Sequence, residues 1–267
     1  MPDTSDTGRP GGLETGAPQA RSVSVLVLLP ALNEEASLGK TLAELRTSMR
    51  ADDADTRFEV VVVDDGSTDS TRQIALRDGA VVLSHAATMG YGGAVCTGLH
   101  YALSRGADLV VIMDADGQHD PHGINDLIAP VLRAEADVVI GSRFVGGRHY
   151  RASLGRRAGA AAFRFLLSLF AHKRITDTTS GFQCIGAQAL RQLAGTYPTD
   201  YPDAQVILQL ILSGMKVIEV PAVMRARTAG TSMHSWLSVF RYPPRMLLSM
   251  LVVVVRVATR RIGAGSG

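Results

Sequence analysis

Six apolar runs divide the chain: Val23–Leu29, Val60–Val63, Ala80–Leu83, Leu109–Met113, Val138–Ile140 and Val217–Val220. Each is near-continuously apolar rather than alternating, and rich in Val, Ile or Leu. That pattern predicts strands buried on both faces, as in a parallel sheet layered between helices. Between the runs lie Glu35–Arg50, Ser70–Asp78, Gly92–Ser104 and Pro121–Ala134, which read as helices. Asp69 or Ser70 can cap the second, and Pro121 sits in a first turn, where its missing N–H costs nothing. Alternating strands and helices predict an α/β domain on a largely parallel sheet flanked by helices. In such sheets, sites gather at the carboxyl ends of the strands.

The ends of the chain add little chemistry. Residues 1–21 are rich in Gly, Pro, Thr, Asp and Ala and hold no apolar run, so they read as a tail and not as a secretory signal. Met246–Val255 is apolar and bracketed by Arg245 and Arg256. It falls short of the roughly 18 residues that a spanning helix needs. It fits a core helix, a partner face or an interfacial amphipathic helix with snorkelling arginines. With 46% hydrophobic and 19% charged residues in 267, the composition excludes a disordered or fibrous chain. Two cysteines, Cys96 and Cys184, cannot make a disulfide framework, which points to a reduced, cytoplasmic protein.

Polar residues follow each of four strand runs. Pro30-Ala31-Leu32-Asn33-Glu34 ends the first, Asp64-Asp65-Gly66-Ser67 the second, Asp114-Ala115-Asp116-Gly117-Gln118 the fourth and Gly141-Ser142-Arg143 the fifth. Asp114 and Asp116, alternate residues past a strand, can turn two carboxylates toward one hard cation, Mg²⁺ or Mn²⁺, with Gln118 adding a neutral oxygen. Taken alone, the same Asp-x-Asp is equally a solvated acidic turn. Asp64 and Asp65 can accept hydrogen bonds from a base or ribose or can cap a helix; Asp69 is expected at the cap and Asp65 on the ligand. Asn33 and Glu34 lie on a rigid turn facing the same edge. Gly90-Tyr91-Gly92-Gly93 opens a helix with room for close approach, but lacks the spacing of a P-loop or a dinucleotide fingerprint.

In this order, Pro-Ala-Leu-Asn-Glu, Asp-Asp-Gly-Ser-Thr-Asp, Gly-Tyr-Gly-Gly-Ala, Asp-Ala-Asp-Gly-Gln-His and Gly-Ser-Arg resemble glycosyltransferase family 2, whose members have the GT-A fold. Asp177-Thr178-Thr179-Ser180-Gly181-Phe182, Glu219-Val220-Pro221 and the stretch Arg225–Ser232 resemble its dolichyl- or polyprenyl-phosphate sugar transferase branch. The likeness spans about residues 22–235. It implies a catalytic domain over 22–235, which leaves the tail over 1–21 and a C-terminal segment over 236–267 that suits association with a membrane among the readings above. It implies a nucleotide-diphosphate-sugar donor, GDP-mannose or UDP-hexose, and a metal-dependent inverting transfer. Carried onto this chain, Asp114, Asp116 and Gln118 hold the metal. Pro30, Ala31, Asn33, Glu34, Asp64, Asp65, Gly90, Asp114 and Ala115 line the nucleotide-sugar pocket. Arg143 and Arg227 resemble the arginines that hold an acceptor phosphate.

The chain departs from the branch at Gly159–Ala162, Tyr91, Gln183 and the stretch Tyr201–Gln205, so the acceptor is the open question. A sugar hydroxyl, as in cell-surface polysaccharide synthesis, needs a base such as Asp177 or Asp203. A polyprenyl phosphate is already largely dianionic at neutral pH and needs only arginines to place it. Asp177 also fits a turn and cap role. A haloacid-type phosphohydrolase wants its Asp-x-Asp after the first strand, and a nucleotidyltransferase wants a glycine-rich basic loop there; neither fits. A non-catalytic nucleotide-sugar-binding partner is disfavoured by the intact acidic set.

Charge placement sharpens the partner. The chain carries +2 overall, yet no acid lies between Asp137 and Asp177, where the charge is +8, and none follows Glu219, where it is +7. Those intervals hold +15 together, which leaves −13 on the remainder. A carboxylate-bearing donor half beside an acid-free half suits an anionic lipid or a membrane-protein partner at the cytoplasmic face of a membrane, and no nucleic acid.

Overall fold

A computed structural model describes residues 22–49, 56–146, 175–198 and 202–225, together with position 252. Its strands are β1 (Val23–Ala31), β2 (Thr56–Asp64), β3 (Val81–Ser84), β4 (Leu109–Ile112), β5 (Val138–Ser142), β6 (Gln183–Gly186) and β7 (Val217–Pro221). Its helices are α1 (Leu38–Ser48), α2 (Thr71–Arg77), α3 (Gly90–Ser104), α4 (Ile124–Leu132), α5 (Ala187–Ala194) and α6 (Pro202–Leu212), with a 3-10 turn at Pro121–Gly123 ahead of α4. The strands join in one sheet of order β3-β2-β1-β4-β6-β5-β7.

Both faces of this sheet are covered, which is why the strand runs carry no polar face. Leu26, Leu28, Val61 and Val63 pack with Ala94, Val95 and Leu99 of α3 and with residues of α5 and α6. Their neighbours Val25, Val27, Leu29 and Val62 point the other way, onto Leu38, Leu42 and Leu45 of α1 and Ile124 and Leu127 of α4. Helix α3 lies close enough to β1 that a Cβ on Gly98 would collide with the Leu28 side chain.

Six strands follow the predicted runs. The seventh, β6, was not predicted: its sequence Gln-Cys-Ile-Gly is too short and too little apolar to register as a run. It runs antiparallel to both β4 and β5, whereas β1, β2, β3, β4, β5 and β7 pair only in parallel among themselves. The reversal matters, because Gln183 pairs with Ile112 and with Ile140, near the carboxyl ends of β4 and β5. The segment entering β6, Asp177–Phe182, is thereby delivered to the edge where the acidic loop leaves β4.

Helix boundaries shift modestly. Helix α1 begins at Leu38 because Glu35–Ser37 form a turn, and α3 begins at Gly90 rather than Gly92. Cys96 and Cys184 are free thiols, and burial pushes both above the usual thiol range. Among the described residues no helix is long and apolar enough to cross a membrane. The stretches 1–21 and Gly159–Ala162 lie outside the described residues, and so does 246–255 apart from position 252.

Candidate active site

The site begins with loops that hold one another. After β1, Asn33 adopts the left-handed region at φ 55° and accepts the Thr68 N–H on Oδ1 at 2.8 Å. Its own N–H donates to Ser67 Oγ at 3.0 Å. The Glu34 N–H donates to Thr71 Oγ1 at 2.7 Å, while the single Ser37 hydroxyl proton is shared between Glu34 Oε2 at 2.8 Å and the Ala115 carbonyl at 3.1 Å. The Ala31 carbonyl accepts the Asp65 N–H at 2.9 Å, and Asp64 Oδ1 accepts the Ser67 N–H at 3.0 Å. The ends of β1, β2 and β4 are thus one hydrogen-bonded shelf. Pro30 and Ala31 pair in register with Val63 and Asp64 at its base.

Asp69 caps α2, accepting the Thr71 N–H at 2.9 Å, and Ser70 makes no side-chain cap. Asp69 also accepts the Glu35 N–H at 3.1 Å. Asp65 is buried and committed within the protein: its carboxylate accepts the N–H groups of Met89 and Gly90 at 2.8 Å each, and Oδ1 meets His85 Nδ1 at 2.6 Å. His85 Nε2 in turn meets Thr97 Oγ1 at 2.9 Å. Asp65 therefore anchors the start of α3, with Gly90 in its grip, in addition to any ligand it meets. Charge-assisted bonds of this kind make a stiff corner.

The acidic loop leaves β4 through Met113. Asp114 keeps about a third of its side chain exposed, whereas Asp116 is buried. Asp116 Oδ1 accepts the Gln118 N–H at 3.0 Å, which curls the loop back on itself. Asp114 Oδ2 meets Nε2 of the buried His119 at 3.0 Å. The His119 ring lies 5.1 Å from the Phe182 ring, and its Nδ1 is buried with no partner among the described residues. Gly181 completes the enclosure, since a Cβ there would sit 2.6 Å from Asp114 Oδ1.

These residues suit a hard divalent cation. Two carboxylates and a neutral amide are oxygen donors, and among the described residues no group of three or more His, Cys, Asp or Glu gathers into a complete cage.

On the far side of β4, Arg143 follows β5. Its Nε and Nη2 fork onto Asp177 Oδ2 and Oδ1 at 2.7 and 2.5 Å, and its backbone N–H adds a third bond to Oδ2 at 2.9 Å. Nη2 also reaches Thr179 Oγ1 at 2.7 Å, and the guanidinium lies 5.8 Å from the Phe144 ring centre. Asp177 is buried, and Glu219 on β7 fixes its turn by accepting the N–H groups of Thr176 and Asp177 at 2.8 and 2.7 Å. Asp177, expected either as a base or in a turn and cap role, accepts hydrogen bonds from Arg143 on both of its oxygens. Asp203 falls in the first turn of α6, away from these contacts in sequence, and its side chain is outside the described residues, as is Arg227.

The profile of the family described as Glycosyl transferase family 2 matches residues 26–194, which contain the shelf, the acidic loop and the Arg143–Asp177 fork. The chain belongs to that family. An undecaprenyl-phosphate mannosyltransferase from Micrococcus luteus is 35% identical over 224 residues, covering 79% of this chain and 87% of its own. A polyprenol monophosphomannose synthase from Mycolicibacterium smegmatis is 30% identical over 246 residues, covering 85% and 88%. Glucosyl-3-phosphoglycerate synthase from Mycobacterium tuberculosis, crystallised with Mn²⁺, uridine-diphosphate-glucose and phosphoglyceric acid, superposes with a TM-score of 0.61 at 22% identity, covering 86% of this chain and 79% of that one. That likeness carries the fold alone, which is GT-A.

Three residues of this glycosyltransferase's site escaped sequence reasoning as site members. His119 closes the motif Asp-Ala-Asp-Gly-Gln-His, and the structure buries it with Nε2 against Asp114. Gly181 and Glu219 entered only as parts of motifs. Their contacts are made across β6 and β7, so no local spacing signals them.

Proposed function

We propose that this glycosyltransferase moves a sugar from a nucleoside diphosphate sugar, GDP-mannose or UDP-hexose, to a polyprenyl phosphate, with inversion at the anomeric carbon. The observation that carries the acceptor is the Arg143–Asp177 fork. The acidic group best placed by sequence to act as a base is instead spent holding a cation at the strand end. A phosphate monoester needs a placed cation and no base, because its second ionisation lies near pH 6. The names of the Micrococcus and Mycolicibacterium relatives agree with that acceptor.

The residues divide the work. The shelf from Asn33 to Thr71 and the Asp65 corner receive the nucleoside. Asp114, Asp116 and Gln118 hold Mg²⁺ or Mn²⁺, which when bound stabilises the negative charge on the departing diphosphate. Arg143, oriented by Asp177 and Thr179, steers the acceptor phosphate, and Arg227 is assigned to the same anion. An acceptor oxygen then bonds to the anomeric carbon as the bond to the nucleoside diphosphate breaks. The enzyme works peripherally at the cytoplasmic face of a membrane, with 22–235 as the catalytic domain and 236–267 as the segment that meets the lipid.

A donor panel tests this reading. GDP- and UDP-sugars are incubated with polyprenyl phosphate and Mn²⁺ or Mg²⁺, with water as acceptor control and Asp116→Asn as blank. Metal-dependent lipid-linked product from one donor, lost in Asp116→Asn, is expected. Full activity in Asp116→Asn overturns the cation assignment.

A further inference from the structure

The segment after β7 closes back over the acidic loop. The Ala222 N–H donates to the Ser142 carbonyl at 2.9 Å, and Met224 forms an isolated antiparallel bridge with His119. The Arg225 N–H donates to the Gln118 carbonyl at 2.7 Å, and Gln118 Nε2 reaches the Arg225 carbonyl at 3.5 Å. The Arg225 side chain then spans two further elements. Nη1 meets Glu44 Oε2 on α1 at 2.5 Å, and Nη2 meets Asp120 Oδ1 at 3.0 Å, just past the acidic loop. Asp120 also caps the 3-10 turn by accepting the His122 N–H at 3.1 Å. One exposed ion pair contributes little. Here one planar guanidinium joins two carboxylates from separate elements, and its own backbone is paired to the loop on both sides, so the contacts act as a unit.

We propose that Arg225 is a positioning residue for the cation site: it pins the strap that follows β7 onto the acidic loop, so that Gln118 spends its amide nitrogen on the strap and keeps its amide oxygen for the cation. The chemistry of the amide fixes this choice. The group that faces the Arg225 carbonyl has to be the NH₂ end, because two oxygens cannot share a hydrogen there. With the strap released, the Gln118 amide is free to turn, and half of its orientations offer the cation a donor. This role rests on the reading of Gln118 as a cation ligand.

Mn²⁺ binding, read by electron paramagnetic resonance on the full chain, tests it. The metal is titrated alone, then with UDP or GDP, against wild type, Arg225→Gln, Arg225→Lys, Glu44→Gln, Gln118→Ala, Asp116→Asn and the Gln118→Ala/Arg225→Gln pair. Thermal midpoints are recorded alongside. Arg225→Gln is expected to weaken Mn²⁺ binding about tenfold, as loss of a ligand's outer partner does. Glu44→Gln and Arg225→Lys weaken it in the same direction, because neither variant keeps one planar guanidinium on both carboxylates. In the Gln118→Ala background, Arg225→Gln adds no further loss, because both changes act through one amide. Unchanged Mn²⁺ affinity in Arg225→Gln, with affinity abolished in Asp116→Asn, overturns the positioning role and leaves the cation site standing. An equal additional loss in the Gln118→Ala background overturns it too, since the strap then supports the fold and not the amide. Wild-type Mn²⁺ affinity in Asp116→Asn overturns the cation site itself, and the role of Arg225 with it.

Discussion

At the scale of single residues, Asp114 shows how little room the site leaves. A Cβ on Gly181 would lie 2.6 Å from its Oδ1, closer than any real carbon sits to a carboxylate oxygen, and His119 holds the other oxygen in place. Gly181→Ala therefore displaces the carboxylate. Metal-dependent transfer is expected to fall at least tenfold, the scale of a disturbed ligand shell, with a thermal midpoint within a few degrees of wild type. A fully active Gly181→Ala contradicts the placement. Arg143 is the second sensitive point. Lysine keeps the charge but cannot fork onto Asp177, so Arg143→Lys is expected to raise the acceptor KM several-fold while nucleotide affinity stays unchanged in equilibrium binding. The acidic pair and the Asp69 cap were legible in the sequence because each stands directly after an apolar run or before a helix. Gly181 was not, because a contact between distant segments, made through packing rather than spacing, brings it to Asp114, and His119, though in the same loop as Asp114, packs its ring against Phe182 of that distant segment.

At the scale of elements, β6 accounts for that difficulty. Its four residues give no periodic signal, and its antiparallel direction makes it the exception in a largely parallel sheet. The strands buried on both faces were legible because both faces demand apolar side chains. The register of Gln183 beside Ile112 and Ile140 was not, since it depends on a chain reversal that composition does not encode. Two predictions belong here. Helix α3 packs Gly98 directly on Leu28, so Gly98→Ala overfills the interface and is expected to destabilise the protein by about 1–3 kcal/mol in denaturant unfolding. Wild-type stability in that variant refutes the close approach. The second concerns the donor shelf. Burial works against the Asp69 charge, but hydrogen bonds from the Thr71 hydroxyl and N–H and from the Glu35 N–H outweigh it and hold its pKa below the usual value. A lowered carboxylate pKa favours folding above about pH 4, and that contribution disappears as pH falls further. The thermal midpoint of wild type is expected to drop more steeply below pH 4 than that of Asp69→Asn; parallel curves contradict the cap.

At the scale of the whole molecule, the charge is segregated. The chain totals +2, but the acid-free stretch after Asp137 and the one after Glu219 carry +15 between them. Along the sequence, the acidic loop and the shelf lie outside both of those stretches. Anionic vesicles are expected to float the full chain and to release it when residues 237–267 are deleted or the salt is raised to about 0.5 M. Flotation unchanged by the deletion removes that segment as the contact. The central claim is that the acceptor is a phosphate, placed by Arg143 without a base. It is tested most directly by offering the enzyme, with its labelled donor and Mn²⁺, a polyprenyl phosphate, the polyprenol of the same chain length and an oligosaccharide. Sugar transfer to the phosphate alone is the predicted result, and transfer to either hydroxyl acceptor at a comparable rate contradicts it.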